Sequence, residues 1–281
     1  MSSSNQFLGG GAPLSATLHH SSDPAFSFAF QPIVDGISET VVAYEALIRG
    51  TWDEPAWQVL NQVSPLRLHL FDQTARSSAV ALAVRLGIDV PLHLNFLPQS
   101  LDSWPRSVLT TLEAAQRAGI AADHIVLEVP EAAVVDDRPH FAALMKEART
   151  LGVRLAIDDF GASYASLTLL DDLAPDQIKL DTRLIRSVDR PGPRQHILRA
   201  IRRACYDLKI EVVAEGVETV AEYNFLLGQR FRFFQGYLFA RPAFEALPSI
   251  SIPHLAEALP PARPVTAAGT APVARSKKLR H

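Results

Sequence analysis

Acidic and amide side chains recur along the chain at the ends of short apolar segments. They are Glu45, Asn95, Glu128, Asp158, Asp159 and Glu215, and Lys179 and Gln235 complete the series. Carboxylates that crowd together repel one another and raise each other's pKa values, and a bound divalent cation is the usual relief. Oxygen ligands of this kind favour Mg²⁺ or Mn²⁺ over zinc. The series therefore predicts a metal site, if the fold brings these side chains together.

Asp158 and Asp159 are adjacent in the segment AIDDFG. A shared carboxylate can bridge two metal ions about 3.5 to 4 Å apart, as sites that cleave phosphoesters require. Taken alone, two neighbouring aspartates are equally typical of a turn after a strand. A single acid at a strand end is usually solvated or caps a helix. Acids or amides at nearly every strand from the second to the eighth instead favour a functional site.

Short apolar runs alternate with longer amphipathic stretches, which predicts repeated βα units and a mostly parallel sheet. The eight predicted strands are Phe26–Val34, Thr40–Arg49, Leu92–Leu97, Ile125–Val129, Arg154–Asp158, Gln177–Asp181, Glu211–Glu215 and Phe233–Phe239. A period of about 3.6 residues predicts helices at Leu66–Leu86, Ser103–Ala118, Arg138–Leu151, Arg194–Leu208 and Val220–Leu227. The carboxyl ends of parallel strands in a barrel share one face, so the acids should converge there.

The first two predicted strands are joined only by the segment from Asp35 to Glu39, which contains Gly36. This connection is too short for a parallel crossover, so the two strands should form an antiparallel hairpin. The fold class that follows is α/β: a TIM-like (β/α)8 barrel with one antiparallel strand.

Composition limits the classes of partner and compartment. The chain has 281 residues, 48% of them hydrophobic, and a formal net charge of −3, so charge alone does not favour binding to DNA. A small anionic ligand is compatible with these values. The single cysteine, Cys205, excludes an intrachain disulfide and a cysteine-based zinc site. The start of the chain lacks the pattern of a signal peptide, and no segment reaches about 18 uninterrupted apolar residues, so we expect no transmembrane segment and a cytoplasmic location.

Both termini differ in composition from the middle of the chain. Residues 1–25 are rich in Ser and Gly and are predicted to be a disordered lead, residues 26–248 to be one domain, and residues 249–281 to be a flexible extension. The extension is basic at its end, with Arg275, Lys277, Lys278 and Arg280. Such a tail either contacts lipid or nucleic acid or serves only as a solubilising terminus.

A series of short motifs extends the pattern along the chain. In order they are QPI at 31–33, EAL at 45–47, DDFG at 158–161, KLD at 179–181, AEGVET at 214–219 and QGYLFARP at 235–242. EAL alone is a weak tripeptide, but the whole series, over residues 26–248, closely resembles the EAL domain family. The resemblance implies a phosphodiesterase that opens cyclic di-GMP to linear pGpG on a TIM-like barrel with one antiparallel strand.

The resemblance also implies a role for each matched position. The ligands of one metal ion would be Glu45, Asn95, Glu128 and Asp158, and those of the second would be Asp158, Asp159 and Glu215. The implied catalytic set is Glu45, Lys179, Glu215 and Gln235, with Lys179 orienting the attacking water or stabilising charge on the phosphate. Substrate would be bound by Gln31, Leu47 and Arg49. Glu131 and Glu218 would support the loop that follows the DDFG strand.

Three positions depart from the family pattern. Asn95 is followed by Phe-Leu-Pro, Pro130 stands where relatives usually have threonine, and Ser163 replaces a permissive glycine in the loop after DDFG. The alternative function is therefore a catalytically weak EAL module that acts as a cyclic di-GMP receptor or a protein-interaction domain. All the matched ligands and Lys179 are retained, which favours the enzyme. We also expect a homodimer.

Overall fold

The alternation of apolar runs and amphipathic stretches produces a closed barrel. The structure, a computed structural model, describes residues 23–97, 100, 104–136, 138–162 and 168–253. Its strands are β1 (Phe26–Asp35), β2 (Thr40–Gly50), β3 (Leu92–Asn95), β4 (Ile125–Pro130), β5 (Arg154–Phe160), β6 (Gln177–Leu180), β7 (Glu211–Ala214), β8 (Phe233–Phe234) and β9 (Ala243–Phe244). The strand order is β2-β3-β4-β5-β6-β7-β8-β1, closed by the pairing of β1 with β2, and β9 adds to β1.

The strand β1 is the reversed member of the barrel. It runs antiparallel to β2, β8 and β9, whereas the pairs from β2 to β8 are all parallel. The pairing of Asp35 with Thr40 closes the hairpin over a short turn. The predicted fold class, a TIM-like barrel with one antiparallel strand, is therefore confirmed.

Helices cover the outside of the barrel. Within the described residues they are α1 (Ala56–Leu60), α2 (Leu68–Arg85), α3 (Trp104–Arg117), α4 (Glu131–Asp136), α5 (Arg138–Leu151), α6 (Thr168–Leu173), α7 (Thr182–Ile185), α8 (Pro193–Leu208) and α9 (Val220–Gly228). Local sequence explains several of their ends. Thr219 and Glu222 form a reciprocal capping box that starts α9, and Pro193 occupies the first turn of α8.

Several predicted boundaries differ from those observed. The predicted strand Leu92–Leu97 ends at Asn95, and the predicted strand Phe233–Phe239 is only Phe233–Phe234. The chain turns away after Gln235 because Gly236 has φ of +156° and its carbonyl accepts hydrogen bonds from the amides of Phe239 and Ala240. The predicted helix from Leu66 begins as a 3-10 turn, Pro65–Arg67, before α2. The short elements α1, α4, α6, α7 and β9 were not predicted.

The large apolar core lies between the sheet and the surrounding helices, and the barrel interior is mixed. Ile33, Ala43 and Val213 form a separate buried apolar cluster on three barrel strands. Two residues further toward the carboxyl ends lie Glu45 of β2 and Glu215, which directly follows β7. The proposed functional acids therefore lie on the carboxyl-end side of this apolar cluster.

Three sequence predictions concern residues outside the described ranges. The proposed disordered lead and basic extension fall largely at 1–22 and 254–281, and Ser163 is also outside the described residues. In the part of the chain that is described, none of the helices is long and apolar enough to span a membrane.

Candidate functional site

A lysine is buried at the centre of the charged end of the barrel. Lys179 lies on β6, its side chain is 1% exposed, and its Nζ atom contacts carboxylates from four other strands or strand ends. The distances from Nζ are 2.7 Å to Glu215 Oε1, 2.8 Å to Glu128 Oε1, 3.0 Å to Glu45 Oε2 and 3.4 Å to Asp158 Oδ1. Burial alone would lower the pKa of Lys179, but these four carboxylates raise it well above its usual value. The lysine is therefore a fixed positive charge.

Glu45 is held by neutral donors as well as by Lys179. Gln235 Nε2 donates to Glu45 Oε2 at 2.7 Å, and Asn95 Nδ2 donates to Glu45 Oε1 at 3.2 Å. Burial opposes ionisation of Glu45, but Lys179 and Gln235 outweigh it and lower the pKa to about 2. Gln31 pairs with Glu45 across the β1–β2 hairpin and accepts a hydrogen bond from Gln235 at 3.2 Å. Glu45 is thus an ionised carboxylate in a fixed orientation.

Glu128 has one oxygen with two contacts and one without a partner. Oε1 lies 2.8 Å from Lys179 Nζ and 2.7 Å from His93 Nδ1. Oε2 is buried and has no hydrogen-bond partner among the residues that the structure describes. Burial and the neighbouring charge of Glu45 raise the pKa of Glu128 well above its usual value, despite Lys179. A bound cation would satisfy this oxygen and favour the ionised carboxylate.

A bulge in β5 brings the carboxylates of Asp158 and Asp159 close to each other. Ala156 and Ile157 pair with β6 in register, but the next pair is Phe160 with Leu180, so two aspartates oppose one residue of β6. Asp159 has φ of +54°, in the left-handed region. Strict alternation would send the two carboxylates to opposite faces of the sheet. Instead, one oxygen each from Asp158, Asp159 and Glu215 lie within 4.8 Å of one another.

Glu215 and Asp159 also resist ionisation. Burial, together with the charges of Asp158 and Glu45, outweighs Lys179 and raises the pKa of Glu215 to about 8. Burial and Asp158 also raise the pKa of Asp159. The carboxylates around Lys179 thus outnumber the single positive charge. All of them are hard oxygen donors, and the amide of Asn95 lies beside them. This donor set, with the unpartnered Oε2 of Glu128, fits a hard divalent cation.

Two cavities open beside the carboxylates and share Glu45. The larger, of about 320 Å³, is lined by Glu45, Leu47, Arg49, Asn95 and Asp158 among others. Arg49 has a long ion pair of 3.5 Å with the exposed Asp53. The second cavity, of about 250 Å³, is lined by Gln31, Glu45, Glu215, Glu218 and Gln235 among others. All three predicted substrate-binding residues therefore face a cavity that adjoins the acidic cluster.

The two residues predicted to support the loop after DDFG lie in different surroundings. Glu131 is buried at the start of α4 and accepts a hydrogen bond from the amide of Gly161, the glycine of DDFG, at 3.2 Å. Glu218 pairs instead with Arg186, at 2.6 Å. The rest of the loop, residues 163–167, is outside the described ranges.

A buried ion pair next to the site was not predicted from the sequence. Asp72 and Arg76 of α2 contact each other, line the larger cavity and are both almost fully buried. Arg76 also donates to Thr111 Oγ1 of α3 at 3.0 Å and lies over the ring of Phe96, 4.3 Å from its centroid. The i, i+4 spacing of opposite charges was the available signal, but such pairs usually lie on an exposed helix face.

Comparison with known proteins decides the family. Residues 15–242 match the family model described as EAL domain. The chain belongs to the EAL domain family. Among solved structures, a standalone EAL protein from Vibrio cholerae O395 with bound c-di-GMP is 40% identical, with a TM-score of 0.77, covering 82% of this chain and 98% of that chain. Klebsiella pneumoniae BlrP1 with manganese and cyclic di-GMP is 36% identical, with a TM-score of 0.78, covering 85% of this chain and 61% of that chain.

Curated relatives of this EAL domain carry different names. The blue light- and temperature-regulated antirepressor BluF of Escherichia coli is 34% identical over 227 residues, which are 80% of this chain and 56% of BluF. The cyclic di-GMP phosphodiesterase NbdA of Pseudomonas aeruginosa is 38% identical over 151 residues, which are 53% of this chain and 19% of NbdA. The chain thus spans about half the length of BluF and a smaller part of NbdA.

Proposed function

We propose that this chain is a metal-dependent phosphodiesterase that hydrolyses cyclic di-GMP to linear pGpG. One observation carries the proposal: a buried lysine holds four carboxylates from different strands together beside an open cavity, and a further buried carboxylate oxygen, Glu128 Oε2, has no partner. The names of NbdA and of the c-di-GMP complexes among the structural neighbours support this substrate.

The protein groups divide between holding metal and handling the phosphate. Glu45, Asn95, Glu128 and Asp158 would hold one ion, and Asp158, Asp159 and Glu215 the other. Two such cations, when bound, lower the pKa of a water and neutralise phosphate oxygens. Mg²⁺ or Mn²⁺ suits the oxygen donors, and the neighbour solved with manganese supports this choice.

Lys179 and Glu215 are the groups placed to assist the reaction. Water adds to one phosphorus, one P–O ester bond breaks, and the leaving oxygen takes up a proton. Glu215, 2.7 Å from Lys179 Nζ, can accept a proton from the attacking water once it is ionised. The ammonium group of Lys179 stabilises negative charge that builds on the phosphate.

Residues around the cavities would bind the substrate. Arg49 presents a planar guanidinium to the larger cavity and suits a phosphate oxygen. Leu47 offers an apolar contact in the same cavity, and Gln31 with Gln235 lines the second cavity. We propose that the two cavities together accept the cyclic dinucleotide.

A second candidate function is a cyclic di-GMP receptor or protein-interaction module with weak catalysis. The observation that favours it is the similarity to a relative named as an antirepressor, 34% identical over most of this chain. A receptor does not need the whole set of carboxylates and Lys179, so their retention favours the enzyme.

The decisive experiment incubates the purified chain with cyclic di-GMP and Mg²⁺ or Mn²⁺ and separates the products by chromatography. We expect pGpG from the unmodified chain and none from Glu215→Gln. The matched control is Glu211→Gln, because Glu211 begins β7, the strand that Glu215 directly follows, and pairs with Arg154 at the other end of the barrel. Binding of cyclic di-GMP without any product, in both metals, would establish the receptor instead.

The assignment of residues 26–248 to the catalytic domain stays a prediction, and so does the homodimer. Sedimentation of the full chain with and without cyclic di-GMP measures the oligomeric state directly.

A further inference from the structure

A histidine inside the barrel contacts one of the proposed metal ligands. His93 lies on β3, two residues before Asn95, and is 1% exposed. Because alternate residues of a strand share a face, its side chain and that of Asn95 both face the barrel interior. None of the proposed steps above uses His93.

The contact of His93 is confined to one oxygen of Glu128. Nδ1 lies 2.7 Å from Oε1, and Lys179 Nζ approaches the same Oε1 at 2.8 Å. The other oxygen, Oε2, is buried without a partner. Two donors on Oε1 fix the plane and the rotation of the carboxylate, so that Oε2 has a defined direction.

The protonation of the ring is consistent with this role. At 2.7 Å one hydrogen must lie between Nδ1 and Oε1, and when Glu128 is ionised to bind a metal ion it is Nδ1 that carries this hydrogen, because two acceptors would repel each other.

We infer that His93 is a positioning residue, which holds Glu128 Oε1 so that Oε2 is directed to the metal. The inference rests on the proposed function, since it assumes that Glu128 binds the ion. Groups that orient ligands in this way alter metal affinity by about 10- to 100-fold when they are removed. A histidine that only filled space would leave metal affinity unchanged when replaced by a side chain of similar size.

Three substitutions separate the hydrogen bond from the volume. In His93→Asn the amide nitrogen lies near the place of Nδ1, in His93→Gln it lies near the place of Nε2, and His93→Leu has no donor. The control is Gln177→Leu, since Gln177 is also buried in the barrel, on β6, and shares with His93 a cavity that none of the proposed metal ligands lines.

The measurement is calorimetric titration of the full chain with Mn²⁺, together with melting temperature and cyclic di-GMP binding in EDTA. We expect Mn²⁺ affinity to fall about tenfold or more in His93→Leu and His93→Gln. His93→Asn and Gln177→Leu should stay within about threefold of the unmodified chain, and nucleotide binding in EDTA should be unchanged in all.

Three outcomes decide between the possibilities. Equal Mn²⁺ affinity in all the folded variants would overturn the positioning role while leaving the proposed function intact. Equal weakening of Mn²⁺ binding in His93→Asn and His93→Gln would also overturn the positioning role. This comparison can be made even if His93→Leu fails to fold. If the unmodified chain does not bind Mn²⁺, the proposed function itself fails, and this inference fails with it.

Discussion

At the scale of the residue, the central feature is one positive charge shared by several negative ones. Lys179 contacts four carboxylates and occupies the position where mutual repulsion would otherwise be greatest. Removing one partner of a buried ion pair leaves an uncompensated charge, which costs about 3 to 5 kcal/mol. The lysine therefore contributes to the stability of the metal-free protein as well as to the proposed chemistry.

Lys179→Met should lower the free energy of unfolding of the metal-free protein, and Mn²⁺ should restore part of it because the cation replaces the lost positive charge. Turnover should fall about 10²- to 10³-fold. Urea unfolding with and without Mn²⁺, and initial rates, test both effects. Unchanged stability in EDTA would show that the carboxylates are neutral without the lysine.

The raised pKa of Glu215, about 8, makes metal binding dependent on pH. Metal must displace the proton that this carboxyl carries at pH 7, so Mg²⁺ affinity should rise between pH 6 and about 8 and level off above that value. Calorimetry in two buffers of different ionisation enthalpy should detect proton release at pH 7. Glu215→Gln should flatten this part of the profile. A flat profile in the unmodified chain would contradict the assignment.

The same shift fixes the sign of a stability effect. Because folding raises the pKa of Glu215 from 4.5 to about 8, its protonated form stabilises the metal-free fold. That contribution is fully present below pH 4.5 and is lost as the pH rises through about 8. The rise in melting temperature on adding Mg²⁺ should therefore be larger at pH 8 than at pH 6.

At the scale of the element, the ends of strands set the direction of the functional side chains. The bulge in β5 places Asp158 and Asp159 together, and Gln235 lies between the end of β8 and the turn at Gly236. A Cβ atom at Gly236 would lie 2.1 Å from the carbonyl oxygen of Val217. Backbone cannot yield as a flexible side chain does, so this turn requires glycine.

Gly236→Ala should destabilise the protein by several kcal/mol and displace Gln235 from Glu45, with loss of activity. Gly228→Ala is the matched control, because Gly228 ends α9 and a Cβ there would meet no atom within 4 Å. That control should be neutral or slightly stabilising. Chemical denaturation of both variants measures the difference, and equal stabilities would show that the turn adjusts.

Much of the element order could be predicted from the sequence, and some of it could not. The hairpin followed from a connection too short for a crossover, and the convergence of Glu45, Asn95 and Glu128 followed from their positions at strand ends. The strand β9 has only two residues, which are too few to show a period, and it forms through its pairing with β1. The left-handed conformation of Asp159 and the contact of His93 with Glu128 depend on register between strands, which local sequence does not determine.

At the scale of the whole molecule, the packed structure continues past the residues matched by the family. The match ends at 242, but β9 pairs with β1, and Leu247, Ile250 and Ile252 pack against the core. Ser27 Oγ also donates to Glu245 Oε1 at 2.5 Å. Residues 243–253 therefore extend the packed structure, and β9 pairs with the part of β1 that β8 does not reach.

A chain that ends at 253 should unfold at the same denaturant concentration as the full chain, and one that ends at 242 should be less stable by about 2 to 4 kcal/mol, because three apolar side chains lose their burial. A chain that ends at 248, the predicted domain boundary, should be intermediate. Equal stability of the three would show that this segment contributes nothing to folding.

The reversal of β1 also determines where a fused partner would be held. In a barrel of parallel strands only, the first strand begins at the face opposite the active site. Here Phe26 pairs with Gly50, the last residue of β2, so the chain begins β1 at the face that carries the carboxylates. A sensor joined before Phe26 by a short linker would thus be tethered beside the substrate opening, at an effective concentration of about millimolar. An amino-terminal fusion is accordingly a design that can control access to the site.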